Sequence, residues 1–478
     1  MSQPPRTALA APLVVAAVLR MVLWAAVLLR TGPAALAGGD TASYLEPGRN
    51  LLLHGVFRTA GLPEIGRPPG YPLFLALTSV AGLELAALLQ VALSVLNVWL
   101  VARLARSAGL SERGVRCAAW LMALEPVACI YSVRLLSETL FCAVLLASME
   151  RMACFLRSRS LQTLAGSGVS LAAAVLVRPA AYYLPGVWAV GLFFWGWRSR
   201  SLHRLQKLPL SLQQGLGATM LDLPIESRRR LTWKAPAVLL LATLPLLAAW
   251  QLRNWFETGF GGFSSIAIRN AYFYSAAEAQ AQADGVSFAQ QQRVFGYPDE
   301  AAYLRSHPEQ AGWSEAARLR FLQSEGRRIL AAHWESAVRT QLEGSAVVAF
   351  SPCAAELLEM LGYNTTPAPA RVPARVVDQG PLRAAVSILH SDPLRATVMA
   401  LFEAGLLGYY LLAARGAMRV RLSGAVKALL IGTALYFLVI SGGVQAVARF
   451  RMPVMPLVCV LAGAGLASRG QQTPIEIA

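Results

Sequence analysis

Residues 84–106 read ELAALLQVALSVLNVWLVARLAR, a mostly apolar run headed by Glu84 and closed by Arg103 and Arg106. A bilayer's hydrocarbon core, ~30 Å thick, is crossed by about 20 such residues in a helix. The run therefore reads as a membrane span. Comparable runs lie outward of it on both sides, near 11–30, 114–131, 135–156, 161–178, 182–197, 235–252, 395–414, 424–441 and 452–468. A shorter apolar stretch, 71–83, follows Arg67-Pro68-Pro69-Gly70 and reads as a half-helix dipping into the membrane or a lead-in to the next span. The pattern predicts an all-α polytopic membrane protein with about 10–11 transmembrane helices, outer-face juxtamembrane helices and a small helical extracytoplasmic domain. Three parts are expected: 1–252 with the first outer loop 31–70, an extracytoplasmic segment 253–394, and helices in 395–478.

Composition agrees. The 478 residues are 56% hydrophobic and only 14% charged, too little charge to cover a soluble surface of that size. Mean hydropathy is +0.48. The net charge of +17 would suit nucleic acid, but the positives stand in short clusters between apolar runs rather than in a basic module, so no nucleic-acid partner is expected. Six cysteines show no metal-ligand spacing and read as structural. The apolar run from residue 8 is too long for a signal peptide's core and reads as an uncleaved first helix.

Orientation follows from the arginines. Arg103, Arg106, Arg113 and Arg116 flank one turn, Arg151, Arg157 and Arg159 the next, Arg198 to Lys234 fill a third, and Arg415, Arg419, Arg421 and Lys427 flank a fourth. All four fall on one side if ten spans alternate, and that side is the cytoplasm. Both termini are then cytoplasmic, in a bacterial inner membrane. The opposite, periplasmic face receives 31–70, 132–135, 179–181, 253–394 and 442–451.

Several ionisable residues fall at that outer face, where the charge bias disfavours positives: Asp40, His54, Arg67, Glu138, Arg178, Arg253, Arg449 and Arg451. Charged groups at helix ends facing a bundle are costly to desolvate unless paired, which makes them functional candidates. The plainer readings are a turn-making aspartate for Asp40, a dipole-favouring glutamate for Glu138 and headgroup-reaching arginines for the rest. Two carboxylates with several guanidiniums suit an anion beside a hydroxyl. A carboxylate can take the hydroxyl's proton or hold a metal, and arginine forks match phosphate. Arg20, mid-span, should face the bundle and pair with a buried group, and Glu125 reads as structural. No Walker A loop, His-Glu-x-x-His helix, Gly-x-Ser-x-Gly elbow or glycine-rich nucleotide loop is present, so a sugar donor would have to come from within the membrane.

Gly39-Asp40 with Tyr44, Asn50-Leu51, His54-Gly55 and Phe57, then Arg67-Pro68-Pro69-Gly70-Tyr71-Pro72, resembles the first outer loop of the GT-C glycosyltransferase superfamily. The branch is that of protein O-mannosyltransferases and the aminoarabinose transferase of lipid A. Ser137-Glu138-Thr139-Leu140-Phe141 and Arg449-Phe450-Arg451-Met452-Pro453 resemble the same branch. The resemblance implies a polyprenyl-phosphate-linked sugar donor, a glycan, lipid or protein acceptor, and transfer with inversion. It implies Asp40 as general base or acceptor-orienting group and Glu138 as the second acid. Arg67, with Arg178, Arg449 and Arg451, would contact the donor phosphate. Tyr44, His54, Tyr71 and Arg253 become candidate substrate contacts. A divalent cation (Mg or Mn) would be held by Asp40 and Glu138. Asp40 is followed by Thr41 where an acidic pair is common, and Gly66 stands where some members carry an acid, so Glu64 is the available third ligand. Two other readings compete: a transporter or flippase of a lipid-linked or anionic substrate, which would show repeated halves and midplane polar groups, and a silent scaffold. No repeat is visible.

Overall fold

The computed structural model describes residues 9–205, 225–363, 393–420 and 422–467, with backbone alone for 198–205 and 225–232. Both chain ends, Lys207 and Arg421 lie outside the described residues. Helix makes up 80% of the structure, so the chain is an all-α polytopic membrane protein. In order come α1 (Ala10–Arg30), α2 (Thr41–His54), a two-residue hairpin of β1 (Arg58–Thr59) and β2 (Leu62–Pro63), α3 (Gly70–Thr78), α4 (Leu83–Ser107), α5 (Glu112–Leu124), α6 (Pro126–Ile130), α7 (Glu138–Ser158), α8 (Leu161–Val177), α9 (Leu184–Leu205) and α10 (Ile225–Thr258). Then follow α11 (Ile266–Asn270), a π turn (Ala271–Ala276), α12 (Ala277–Asp284), α13 (Phe288–Val294), α14 (Glu300–Ser306), α15 (Glu315–Ala332), α16 (Trp334–Phe350), α17 (Ala354–Met360), α18 (Pro393–Arg419), α19 (Gly424–Ile440) and α20 (Met455–Ala467).

Among the described residues, five helices are long and apolar enough to cross a membrane: α1, α4, α7, Trp233–Thr258 within α10, and α18. Shorter apolar helices, Leu161–Val177, Gly424–Ile440 and Met455–Ala467, stand where further spans are expected. The stretch read as 71–83 is a separate short helix continued by a 3₁₀ turn and stopped at Gly82, whose φ of +108° only glycine adopts readily.

One expected span is corrected. Residues 114–131 are not one helix. α5 ends at Leu124, Glu125 is extended (φ −65°, ψ 119°), and α6 restarts at Pro126. Proline lacks the N–H that would bond Met122's carbonyl, and it forces the residue before it out of the α region. The freed acceptors do not go unpaired. Arg20, fully buried, donates to Ala123 O (2.9 Å), Met122 O (3.4 Å) and Ser94 Oγ (2.7 Å). The expected partner of Arg20 is thus a broken helix end. Glu125 caps α6 through Ala128 N (2.6 Å).

The spans share one apolar core, to which α7 contributes Phe141, Leu145, Met149 and Phe155. The helices between Ile266 and Ala332 build a second core from Tyr272, Phe273, Phe295, Tyr303, Leu319, Leu322 and Ile329. Ile65, just before Arg67, belongs to that second core. This contact fixes the 58–67 stretch against those helices and so sets where Arg67 stands.

Candidate functional site

α7 is 21 residues long, so its two ends lie about 30 Å apart at 1.5 Å per residue. At its C-terminal end the basic turns meet: Arg157 donates to Arg106 O (3.1 Å) and Arg103 pairs with Glu150 (2.8 Å). The acids and arginines of interest gather at the other end. Five ionisable side chains meet there: Asp40 before α2, Arg67 before α3, Glu138 at the start of α7, Arg178 after α8 and Arg449 in the 3₁₀ turn Ala448–Arg451.

Asp40 occupies the N-cap position of α2, yet its side chain caps nothing. Its two oxygens are taken by guanidiniums instead, Oδ1 by Arg67 Nη2 (2.9 Å) and Oδ2 by Arg449 Nη2 (2.7 Å). That arrangement displaces the plain reading of a turn-making aspartate. The turn is held by Thr41, whose Oγ1 accepts from Gly38 N (2.8 Å) and donates to Leu135 O (2.8 Å), tying the Asp40 turn to the strap before α7. Burial works against the charge on Asp40, but Arg67 and Arg449 outweigh it and hold the carboxyl below the usual carboxylate range. Burial likewise opposes the charge on Arg449, and Glu138 and Asp40 overcome it.

Arg67 is spread over four partners. Besides Asp40 it donates to Ser43 Oγ (3.1 Å) and Tyr44 OH (2.9 Å), and it lies over the Tyr44 ring (4.4 Å). Its backbone N–H and that of Gly66 donate to Glu64 Oε1 (2.8 and 2.6 Å), so Glu64 shapes the turn that presents Arg67. Tyr44 OH stands 3.3 Å from Ser137 Oγ, and Arg178 Nη1 donates to the same hydroxyl (3.1 Å). Glu138, with its side chain only 3% exposed, has Arg178 Nη1 at 2.6 Å and Arg449 Nε at 3.7 Å from Oε1. Neither Glu138 oxygen receives a well-directed hydrogen bond. The Phe450 ring lies against both Arg178 and Arg449 (5.2 and 5.1 Å), so two like charges share one aromatic ring.

Other expected residues are placed elsewhere. Arg451 is buried and donates to Val348 O, Ala349 O and Ser351 O (2.9–3.0 Å), closing the end of α16 rather than joining the Asp40 cluster. Arg253 donates to Glu64 O (2.6 Å) and Phe57 O (2.8 Å), which clips the first loop to α10. Tyr71 packs edge-on against Tyr44 (4.9 Å) and donates to Gln90 Oε1 (3.0 Å) deep in the bundle. His54 is exposed at the far end of α2, about 20 Å of helix away from Asp40.

Three contributors were not legible in the sequence. Ser43 accepts from Arg67 and Ser137 from Arg178, and serines at helix starts carry no distinguishing signal. Tyr274 stands on the π turn. Its hydroxyl lies 2.7 Å from that of Tyr297, and burial together with this neighbour pushes it up to about 12. A π turn is a common mark of a functional position, but it has no sequence signature here.

The donor set does not fit the expected divalent cation. Glu64 is spent on its own turn, and the three arginines standing among the two acids would repel a cation. Among the described residues, no three His, Cys, Asp or Glu side chains converge in metal-holding geometry.

No family model and no curated protein matches the chain. Solved structures do. The archaeal oligosaccharyltransferase AglB from Archaeoglobus fulgidus, in complex with an inhibitory peptide and a dolichol-phosphate, is similar at TM-score 0.49 and 14% identity, over 96% of this chain and 50% of that one. The A. fulgidus oligosaccharyltransferase in complex with Zn and sulfate is similar at TM-score 0.47 and 14% identity, over 96% and 49%. ArnT from Cupriavidus metallidurans is similar at TM-score 0.35 and 14% identity, over 94% and 77%. Both proteins are GT-C superfamily members. The chain spans about half the length of the oligosaccharyltransferases it matches. Likenesses at these scores carry no residue role and no activity to this chain.

Proposed function

We propose that the chain is an integral-membrane glycosyltransferase that moves a sugar from a polyprenyl-phosphate donor to an acceptor hydroxyl at the periplasmic face, with inversion. The observation that carries this reading is the sharing of Asp40 between Arg67 and Arg449, beside the buried Glu138–Arg178 pair. Three guanidiniums against two carboxylates leave one positive charge. That excess matches the single negative charge of a phosphodiester and favours the further charge that develops as the phosphate leaves.

A carboxylate held by two arginines is a weak base. A donor phosphate competes for the same forks, since phosphate and carboxylate present similar oxygen geometry. As Arg67 and Arg449 turn to the phosphate, Asp40 loses its partners and gains basicity. It then accepts the acceptor's proton while the oxygen attacks the anomeric carbon from the face opposite the leaving phosphate. Glu138 keeps Arg178 in position throughout. No step passes through a metal.

General-base help is worth about 10²–10⁴ in rate. Asp40→Asn should lose that much transfer, measured in detergent with purified lipid-linked donor, while expression holds and unfolding stays cooperative. Near-normal transfer by this variant rejects the assignment. The same assay separates the transporter reading, because a transporter makes no new glycosidic bond.

A further inference from the structure

Between the first outer loop and the outer helices lies a cavity of about 420 Å³, within the range of roughly 300–1,000 Å³ of small-ligand sites. One wall carries Ser43 and Arg67, which are hydrogen-bonded to each other, and Arg67 holds Asp40. The opposite wall carries two ion pairs: Arg269–Glu315 (2.6 Å) and Arg318–Glu300, the latter joining α15 to α14. Resting on the glycosyltransferase reading above, we propose that this cavity is the acceptor subsite and that it takes the hydroxyl-rich end of an uncharged glycan.

Three features select that class. First, the lining carries Glu64, Asp299, Glu300 and Glu315 against Arg67, Arg269 and Arg318, so it is nearly balanced in charge and draws no strong anion or cation. The positive excess lies next door, with Arg178 and Arg449. Second, the paired carboxylates and guanidiniums offer planar acceptors and donors side by side, which is what adjacent sugar hydroxyls, each both donor and acceptor, can use. Third, an extended peptide would need an open strand edge. The hairpin at the cavity's side offers two residues per strand, and Pro63 has no N–H to give.

The test uses the full chain in nanodiscs. The donor is the radiolabelled polyprenyl-phosphate-sugar pool extracted from source membranes, and the acceptor is the neutral glycan fraction from the envelope of a deletion strain. The double variant Glu300→Gln/Arg318→Ala removes one ion pair without leaving a lone charge, and Arg269→Gln/Glu315→Gln does the same on the other pair. The KM for glycan should rise about tenfold, while label released to water without glycan stays within about twofold. Saturation-transfer NMR of the same glycan gives a readout independent of donor chemistry, and its signal on the native chain should fade in the variants. An unchanged KM and unchanged NMR signal in both double variants, each unfolding at the native temperature, overturns the proposal. A labelled product that is destroyed by protease overturns it too. If glycan binds in the NMR experiment and no lipid-linked sugar is consumed, the glycosyltransferase reading fails and the cavity assignment stands.

Discussion

Glu138 is the most deeply placed charge of the cluster, and its neutralisation depends on Arg178 at 2.6 Å. Removing one partner of a buried pair strands the other, at a cost of roughly 3–5 kcal/mol. Arg178→Ala should therefore lower stability by about that amount in thermal unfolding, and adding Glu138→Gln should restore much of it. If the double variant is no better than the single one, the two side chains are not coupled. Asp40 makes a different prediction. Its folded pKa is held below the ordinary aspartate value of 3.8, so its ion pairs contribute fully above that value and the contribution is lost only as pH falls through the lower folded value. Unfolding temperature should not vary through Asp40 between about pH 5 and 8, and acid destabilisation should be shallower in Asp40→Asn. A wild-type loss beginning near neutrality that Asp40→Asn abolishes would contradict the geometry. The residue types were legible because acids and arginines are rare beside apolar runs. Their partners were not: Arg449 and Arg451 look equivalent in sequence, but a 3₁₀ turn has three residues per turn, so side chains two apart face different directions. One meets Asp40 and the other meets the carbonyls of α16.

At the scale of elements, close helix packing positions the last site arginine. A Cβ on Gly416 of α18 would run into Leu461 O of α20, and one on Gly465 would run into Leu412 O. α20 follows directly on the turn that carries Arg449. Gly416→Ala should cost about 1–3 kcal/mol by overpacking, read as a lower unfolding temperature in detergent. Gly408→Ala, on the same helix with open space at its Cβ, should be neutral or slightly stabilising through helix propensity. Equal effects at both positions would remove the packing explanation. The helices themselves were readable from apolar runs. The break at Glu125 was signalled by Pro126, but that Arg20 would satisfy the opened carbonyls depended on where α1 meets α5.

Across the whole molecule, the turns that carry Arg103, Arg106 and Arg157 and the acid–arginine cluster occupy opposite ends of α7. That polarity predicts which side each surface faces. Arg305→Cys, exposed in α14, should react with an impermeant maleimide in intact cells, and Arg113→Cys, exposed in the first turn of α5, only after permeabilisation, each read against the native cysteines. The reverse pattern would place the site in the cytoplasm.

Composition and apolar run length determined that this chain is a helical membrane protein, because a bilayer selects segments by solvation and needs no knowledge of their neighbours, and the placement of arginines gives the orientation to be tested. Which charges meet was decided only by the tertiary structure. An arginine turned into the fold binds whatever acceptor packing leaves open, a carboxylate for Arg67 and Arg449, backbone carbonyls for Arg20, Arg253 and Arg451. Those open acceptors exist only once distant segments have packed.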